Sequence, residues 1–337
     1  MPFSLQDAIA CPIPPVRILD VGASMVEGPD HYAPLVARGL AEVVGFEPDV
    51  AQHATLEASG RPHYRYLPYA LGDGGEAVFH IANFPGCSSI LSPNKAVIDR
   101  FSAIGASPPD GNFAIVRTEP VQTRRLDDLA AETGAPDYIK LDIQGAEVTV
   151  LTNGVEALRS TLVVESEVLF VALYEGQGDF ADLTALLRDQ GFQLYELRDV
   201  RRCSVAPFLA EMKPFPSRGQ WMWADAVYVR AWHDLSGWSD AELLKAAAIL
   251  HEVYEAYDLV HHFLLEVQLR SGEPLSDRYR AAMAADPKVL AAWPMLDAAW
   301  AKALAPERIK GAMDAVRRAA IAQREQARTE QMPEPTG

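Results

Sequence analysis

The sequence predicts an α/β protein with a mostly parallel sheet over its first two-thirds and an all-helical C-terminal appendage. Two observations carry that prediction. Short β-branched runs alternate with helix-length segments up to about residue 230, which is the pattern of right-handed β-α-β units. Past Trp232 strand signals nearly vanish and alanine becomes abundant, as in helices packed on one another. The expected division is a first domain over 1–232, a helical domain over 233–330 and a disordered tail over 331–337.

The first strand is VRILDV at 16–21, stopped by Gly22. Residues 31–40 have helical periodicity, VVGFE at 43–47 is the second strand, and a helix follows over 50–58. The third strand, 64–70, ends in Leu71-Gly72-Asp73-Gly74-Gly75, a strong turn signal. Residues 77–82 return antiparallel. Residues 85–118, rich in Pro, Gly, Ser and Asn, break the rhythm and read as a long excursion over one sheet edge. DYIKLDI at 137–143 resumes the sheet, followed by Gly145 and a helix from about Ala146. Then come a strand over 162–169, a helix over 179–190 stopped by Gly191, a strand over 193–197 and ADAVYVR at 224–230. In the appendage Ser239 and Glu242 make a capping box. Leu243, Ala247, Leu250, Val253, Tyr257, Val260, Leu264 and Val267 recur at helical spacing, which predicts one long helix ended by Ser271-Gly272. Shorter helices follow between Pro274, Pro287, Pro294 and Pro306, the last over 307–330.

Composition narrows the function. A chain that is 49% hydrophobic and 23% charged is not wholesale disordered. A net charge of -16 argues against a nucleic-acid partner. The apolar stretches fall short of the ~20 residues that span a bilayer. Residues 1–15 lack the positive region and apolar run of a secretory signal. A cytoplasmic protein is expected. Cys11, Cys87 and Cys203 are scattered and no C-x-x-C pair occurs, so neither a disulfide framework nor a zinc knuckle is expected.

Ligand chemistry is expected at the carboxyl ends of the parallel strands. Asp20 lies near the end of the first strand, and Gly22-Ala23 after it lets backbone approach a ligand closely. The run GASMVEG at 22–28 does not fit the dinucleotide pattern G-x-G-x-x-G, and there is no G-K-[ST] phosphate loop. A ligand without phosphates follows from that. Glu47 at the second strand tip is placed to accept both hydroxyls of a ribose; the alternative is a residue opening the next helix. Ala70 and Leu71 at the third tip can seat an adenine. In the fourth strand Lys140 and Asp142 point to the same side. Opposite charges in an apolar strand are costly unless paired or used, so they make a local ion pair or Asp142 faces the crevice.

Together these blocks resemble the FkbM family of S-adenosylmethionine-dependent methyltransferases. The resemblance spans about 16–230. It rests on ILDVGA (18–23), GFEPD (45–49), YALGDGGEAVF (69–79), Ser88-Ser89, RRLDDL (124–129), YIKLDIQGAE (138–147) and ADAVYV (224–229). It implies a Rossmann-like class I methyltransferase fold whose last strand, 224–229, is antiparallel. It implies S-adenosyl-L-methionine as cofactor, with Asp20 among the residues that bind it, Gly22 and Ala23 at the methionine end, Glu47 on the ribose, Ala70 and Leu71 on the adenine, and Asp142 beside the sulfonium and amine. It implies methyl transfer to a hydroxyl of a sugar, glycolipid or secondary metabolite, a small-molecule or glycan acceptor. N-methylation of an amino sugar and a non-catalytic interaction module are the alternatives. A weakly acidic alcohol needs a base; Asp142 is the first candidate, His31 the second, and Glu165 and Glu167 the third. The chain departs from the family pattern at Ser24 and Val26, with Gly28 as the candidate replacement glycine, and at Gln144, where Glu is more common. The 85–94 loop is a cover for the acceptor or a surface turn cluster.

His251, Glu255, Asp258 and His262 share one face of the predicted long helix. No H-E-x-x-H accompanies them, so a solvated, ion-paired face is expected and no metal site. Trp293, Trp300, Tyr254 and Tyr257 read as core. The appendage is expected to pack on the sheet domain, shape the acceptor pocket or support a homo-oligomer.

Overall fold

The computed structural model describes residues 3–24, 30–107, 109–208 and 218–292. Its centre is a seven-stranded sheet. In chain order the strands of the molecule are β1 (Val16–Val21), β2 (Ala41–Phe46), β3 (Tyr64–Leu67), β4 (Glu76–Ala82), β5 (Ile115–Gln122), β6 (Tyr138–Leu141), β7 (Val163–Leu169), β8 (Phe192–Arg198), β9 (Arg202–Cys203), β10 (Gln220–Trp221) and β11 (Trp223–Arg230). The central sheet runs β3-β2-β1-β6-β7-β11-β8. Pairs from β3 through β7 are parallel, and β11 inserts antiparallel between β7 and β8. This is the class I methyltransferase topology.

The strands are β-branched and apolar because helices cover both faces of such a sheet. Leu19, Val21, Ile139, Leu141, Val164, Val168 and Ala226 are all buried in one core. The order reverses at β1, which pairs β2 on one side and β6 on the other. A crevice opens at the carboxyl ends of strands at such a switch point.

Three sequence expectations change in detail. The helix expected over 31–40 is only Ala33–Ala37, because Tyr32 is buried as its N-cap and Gly39 takes φ 68. Strand β4 is antiparallel as expected, but it pairs with β5 in a separate two-stranded ribbon and not in the main sheet. Strand β5 takes up the end of the stretch expected to be an irregular excursion.

A further change is in the C-terminal helices. The single helix expected up to Gly272 is two, Asp240–Glu252 and Tyr257–Ser271. The Ser239–Glu242 capping box is present. The break occurs where consecutive side chains are pulled in different directions. His251 bonds Tyr279 Oη at 3.0 Å and the Phe3 carbonyl at 2.8 Å. Glu252 pairs with Arg38 at 2.7 Å and accepts from the Leu5 amide. Glu255 takes φ 53, a left-handed value that ends α-helix. His251, Glu255, Asp258 and His262 therefore do not share a face, and His262 turns to the Trp232 carbonyl instead.

The chain forms two compact units, Phe3–Arg280 and Ala281–Gly337. Helix Asp240–Glu252 belongs to the first unit, tied to the sheet by Lys245 on Asp137 at 2.9 Å. The described part of the second unit is the end of helix Leu275–Ala285 and helix Pro287–Ala292. Val26, Gly28, Trp293, Trp300, the helix expected over 307–330 and the tail lie outside the described residues. Among the described residues no helix is long and apolar enough to cross a membrane.

Candidate active site

The carboxyl ends of β1, β2, β3 and β6 open into a cavity of about 690 Å³, well within the range of small-molecule sites. Gly22, His31, Glu47, Ala70, Leu71 and Asp142 all line it. Two expected residues, Asp20 and Ala23, are not on its wall. Ala23 packs against Leu56 and Tyr66. Asp20 is buried and accepts from Tyr32 Oη at 2.6 Å, with Lys140 at 3.4 Å. Burial pushes its carboxyl up, and Lys140 opposes the shift.

One half of the cavity is shaped by backbone. Gly22 takes φ 87, and a β-carbon there would sit 2.0 Å from the Asp142 carbonyl oxygen. Only glycine lets the tips of β1 and β6 meet this closely. The amides of Gly22 and Ala23 both donate to the Phe46 carbonyl, which joins the tips of β1 and β2. Glu47 is buried; its Oε1 accepts from the Asp49 amide at 2.7 Å. Burial raises its pKa to about 7. Asp49 in turn caps helix Val50–Ala58 through the amides of Ala51 and Gln52, so both acidic residues of GFEPD have defined work.

At the β6 tip Lys140 lies between Asp20 at 3.4 Å and Asp142 at 3.9 Å. Burial opposes its charge, but these carboxylates outweigh burial and hold its pKa above the ordinary lysine value. Both sequence alternatives therefore hold at once: the pair exists, and Asp142 faces the cavity. Gln144 Nε2 donates to Asp142 at 2.9 Å and to Glu167 at 2.8 Å. A glutamate there would place a third carboxylate against these two; the amide joins them. Glu147, also buried, accepts from the Ile143 and Gly145 amides, both at 2.9 Å, and fixes the turn. Burial raises its pKa to about 7. The 85–94 loop is docked on this turn: Ser89 Oγ donates to the Gln144 carbonyl at 2.8 Å, and Ser88 and Ser89 line the cavity.

The other half is built of side chains. His31 Nδ1 lies 2.7 Å from Glu165 Oε1. Glu165 is 2% exposed and also accepts from Tyr138 Oη at 3.0 Å and from Tyr254 Oη. An ionised carboxylate only accepts, so Nδ1 carries a proton, and in the neutral imidazole the lone pair is on Nε2. The hydrogen bond to Glu165 raises the His31 pKa. Burial pushes Glu165 up, but His31 and the tyrosine hydroxyls outweigh it and hold the carboxyl below its usual value. Asp199 and Asp225 stand close by, with ligand atoms of His31, Asp199 and Asp225 all within 4.8 Å of one another. Asp225 is raised to about 7, by burial first and then by Glu165 and Asp142.

Sequence reading missed Tyr138, Tyr254, Asp199 and Asp225. Asp225 had a signal, a charge between Ala224 and Ala226, both fully buried. Tyr254 had none, since it meets Glu165 across 89 residues of chain.

The sequence pattern described as "Methyltransferase FkbM domain" matches residues 20–194, half of the chain. The chain is 32% identical over 176 residues to 2-O-methyltransferase NoeI of Sinorhizobium fredii (strain NBRC 101917 / NGR234), covering 48% of this chain and 66% of that protein, just under two thirds. Among solved structures, magnesium protoporphyrin IX methyltransferase (ChlM) from Synechocystis PCC 6803 with bound SAM is 13% identical, covering 67% of this chain and 77% of that one, with a TM-score of 0.31. TYW2 of M. jannaschii in complex with AdoMet is 11% identical, covering 67% and 74%, with a TM-score of 0.28.

Proposed function

The chain belongs to the FkbM methyltransferase family, and from that premise we propose that it O-methylates a hydroxyl of a sugar, glycolipid or secondary metabolite in the cytoplasm. The cofactor is S-adenosyl-L-methionine, which when bound supplies the methyl carbon and keeps the electron pair of the broken carbon–sulfur bond. The residues present suit it. Glu47, an acceptor at the β2 tip, would hold the ribose hydroxyls, and Ala70 and Leu71 the adenine. The narrow turn at Gly22 would follow the methionine chain, and Asp142 would balance the cationic groups.

The single observation that carries the reaction is the His31–Glu165 pair on the wall of the same cavity as Glu47 and Asp142. Imidazole Nε2 takes the acceptor hydroxyl proton as the acceptor oxygen bonds to the methyl carbon. Glu165 stabilises the imidazolium that forms and fixes the productive tautomer. Tyr138 and Tyr254 hold Glu165 in turn. Asp142, the first candidate for the base, is instead engaged by Lys140 and Gln144, which suits a fixed counter-charge better than a proton carrier.

The test is release of S-adenosylhomocysteine with a panel of glycan acceptors. His31→Ala is expected to lose turnover by about 10²–10³-fold while its affinity for S-adenosyl-L-methionine stays unchanged. Turnover at the native rate in that variant would overturn the role of His31.

A further inference from the structure

Across from the cofactor half, one wall of the cavity carries charged side chains that the reading above does not use. Asp199, Arg201, Trp223 and Asp225 all line the cavity. The fold gathers them: Asp225 on β11 pairs in register with Arg198 at the end of β8, and the Arg201 amide donates to the Trp223 carbonyl at 2.8 Å. Among the described residues the carboxylates of Asp199 and Asp225 and the guanidinium of Arg201 make no hydrogen bond or ion pair. Asp199 takes φ 48, a left-handed backbone that costs energy in a residue with a β-carbon.

We propose that Asp199 and Asp225, with Arg201 and Trp223 beside them, form a subsite for a vicinal diol of a saccharide acceptor, adjacent to His31. The proposal rests on the O-methyl-transfer reading and deepens it. One hydroxyl of the diol meets His31 Nε2. Its neighbour donates to the carboxylates, which lie within 4.8 Å of the imidazole. Ionised carboxylates only accept and guanidinium only donates; a hydroxyl does both, so a diol satisfies both kinds of group at once. Trp223, half-buried, offers the apolar surface that the carbon-bound hydrogens of a sugar ring need. A divalent cation is the other ligand that a histidine and paired carboxylates suggest, but Arg201 on the same wall repels it and has no role toward it.

The test is saturation-transfer NMR on the full chain, with and without S-adenosylhomocysteine. The probes are methyl glycosides of common hexoses and pentoses, their monodeoxy analogues, and the pair cyclohexane-1,2-diol and cyclohexanol. At least one diol probe is expected to bind about tenfold more tightly than its monodeoxy partner, the value of one charge-assisted hydrogen bond. Asp199→Asn and Asp225→Asn are each expected to weaken that probe about tenfold and to leave the affinity for S-adenosyl-L-methionine unchanged. No diol preference across the panel would overturn the proposal, as would diol binding that neither variant weakens. Binding of Mn²⁺ by the wild type and its loss in Asp225→Asn would also overturn it and assign the cluster to a cation. The two readings fail separately. Diol discrimination in a chain that does not bind S-adenosyl-L-methionine removes methyl transfer and keeps the subsite. Cofactor binding without diol discrimination removes the subsite alone.

Discussion

The two halves of the cavity are made in different ways. On the proposed cofactor side the work is done by backbone: Gly22 at φ 87, its contact with the Asp142 carbonyl, and the tips of β1 and β2 joined through Phe46. Each piece is a short contiguous motif at a strand end. On the proposed acceptor side the work is done by side chains from remote segments. His31 meets Glu165 across 134 residues, and Tyr254 reaches Glu165 from beyond the last strand. The proposed cofactor half is thus set by local shape, whereas the proposed acceptor half depends on how distant elements pack. Loops and attached helices can change there while the sheet stays the same.

Substitutions on the two sides are therefore expected to fail differently. The largest effect is on the cofactor side. Gly22→Ala is expected to cost about 3 kcal/mol or more of stability, from strain and overpacking together, read as a lower urea midpoint with loss of cofactor binding. Next is Glu165→Gln, which is expected to lower kcat about a hundredfold by releasing the tautomer of His31. The sign of its pH effect is fixed. Glu165 holds the His31 pKa above the ordinary value, so the acid limb of the pH–rate profile moves to lower pH in the variant. A limb that stays in place would assign the titration to another group. Glu47→Gln is smaller, about tenfold in affinity for S-adenosyl-L-methionine at pH 8. Because Glu47 titrates at about 7 and accepts best when ionised, wild-type affinity is expected to fall as pH drops through that value, and the variant's to stay flat. Calorimetry at several pH values checks both. The smallest effect is Tyr254→Phe, a loss of about three- to tenfold in kcat with cofactor affinity unchanged. An equal loss of stability and cofactor binding would reduce Tyr254 to a packing residue.

This same contrast decides what could be read from the sequence. The parallel strands and the positions of Gly22, Glu47, Ala70, Leu71 and Asp142 were legible because each sits in a contiguous run with an alternating or glycine-stopped pattern. Asp20 was assigned to the same wall because it lies near the end of the same strand, but it is buried under Lys140 and Tyr32. Strand β5 escaped because an exposed ribbon with Arg117, Glu119 and Pro120 lacks the apolar run of a buried strand. The break at Val253–Ala256 escaped because the apolar period continues across it. What ends the helix is the set of ties made by His251, Glu252 and Tyr254 to residues far away in the chain.

Isothermal titration of the full chain with S-adenosyl-L-methionine tests the shared cavity most directly. The expected result is one-to-one binding that weakens in Glu47→Ala and persists in Glu165→Gln. Absence of binding by the wild type, or equal binding by Glu47→Ala, would contradict a cofactor seat at the tips of β1, β2 and β6.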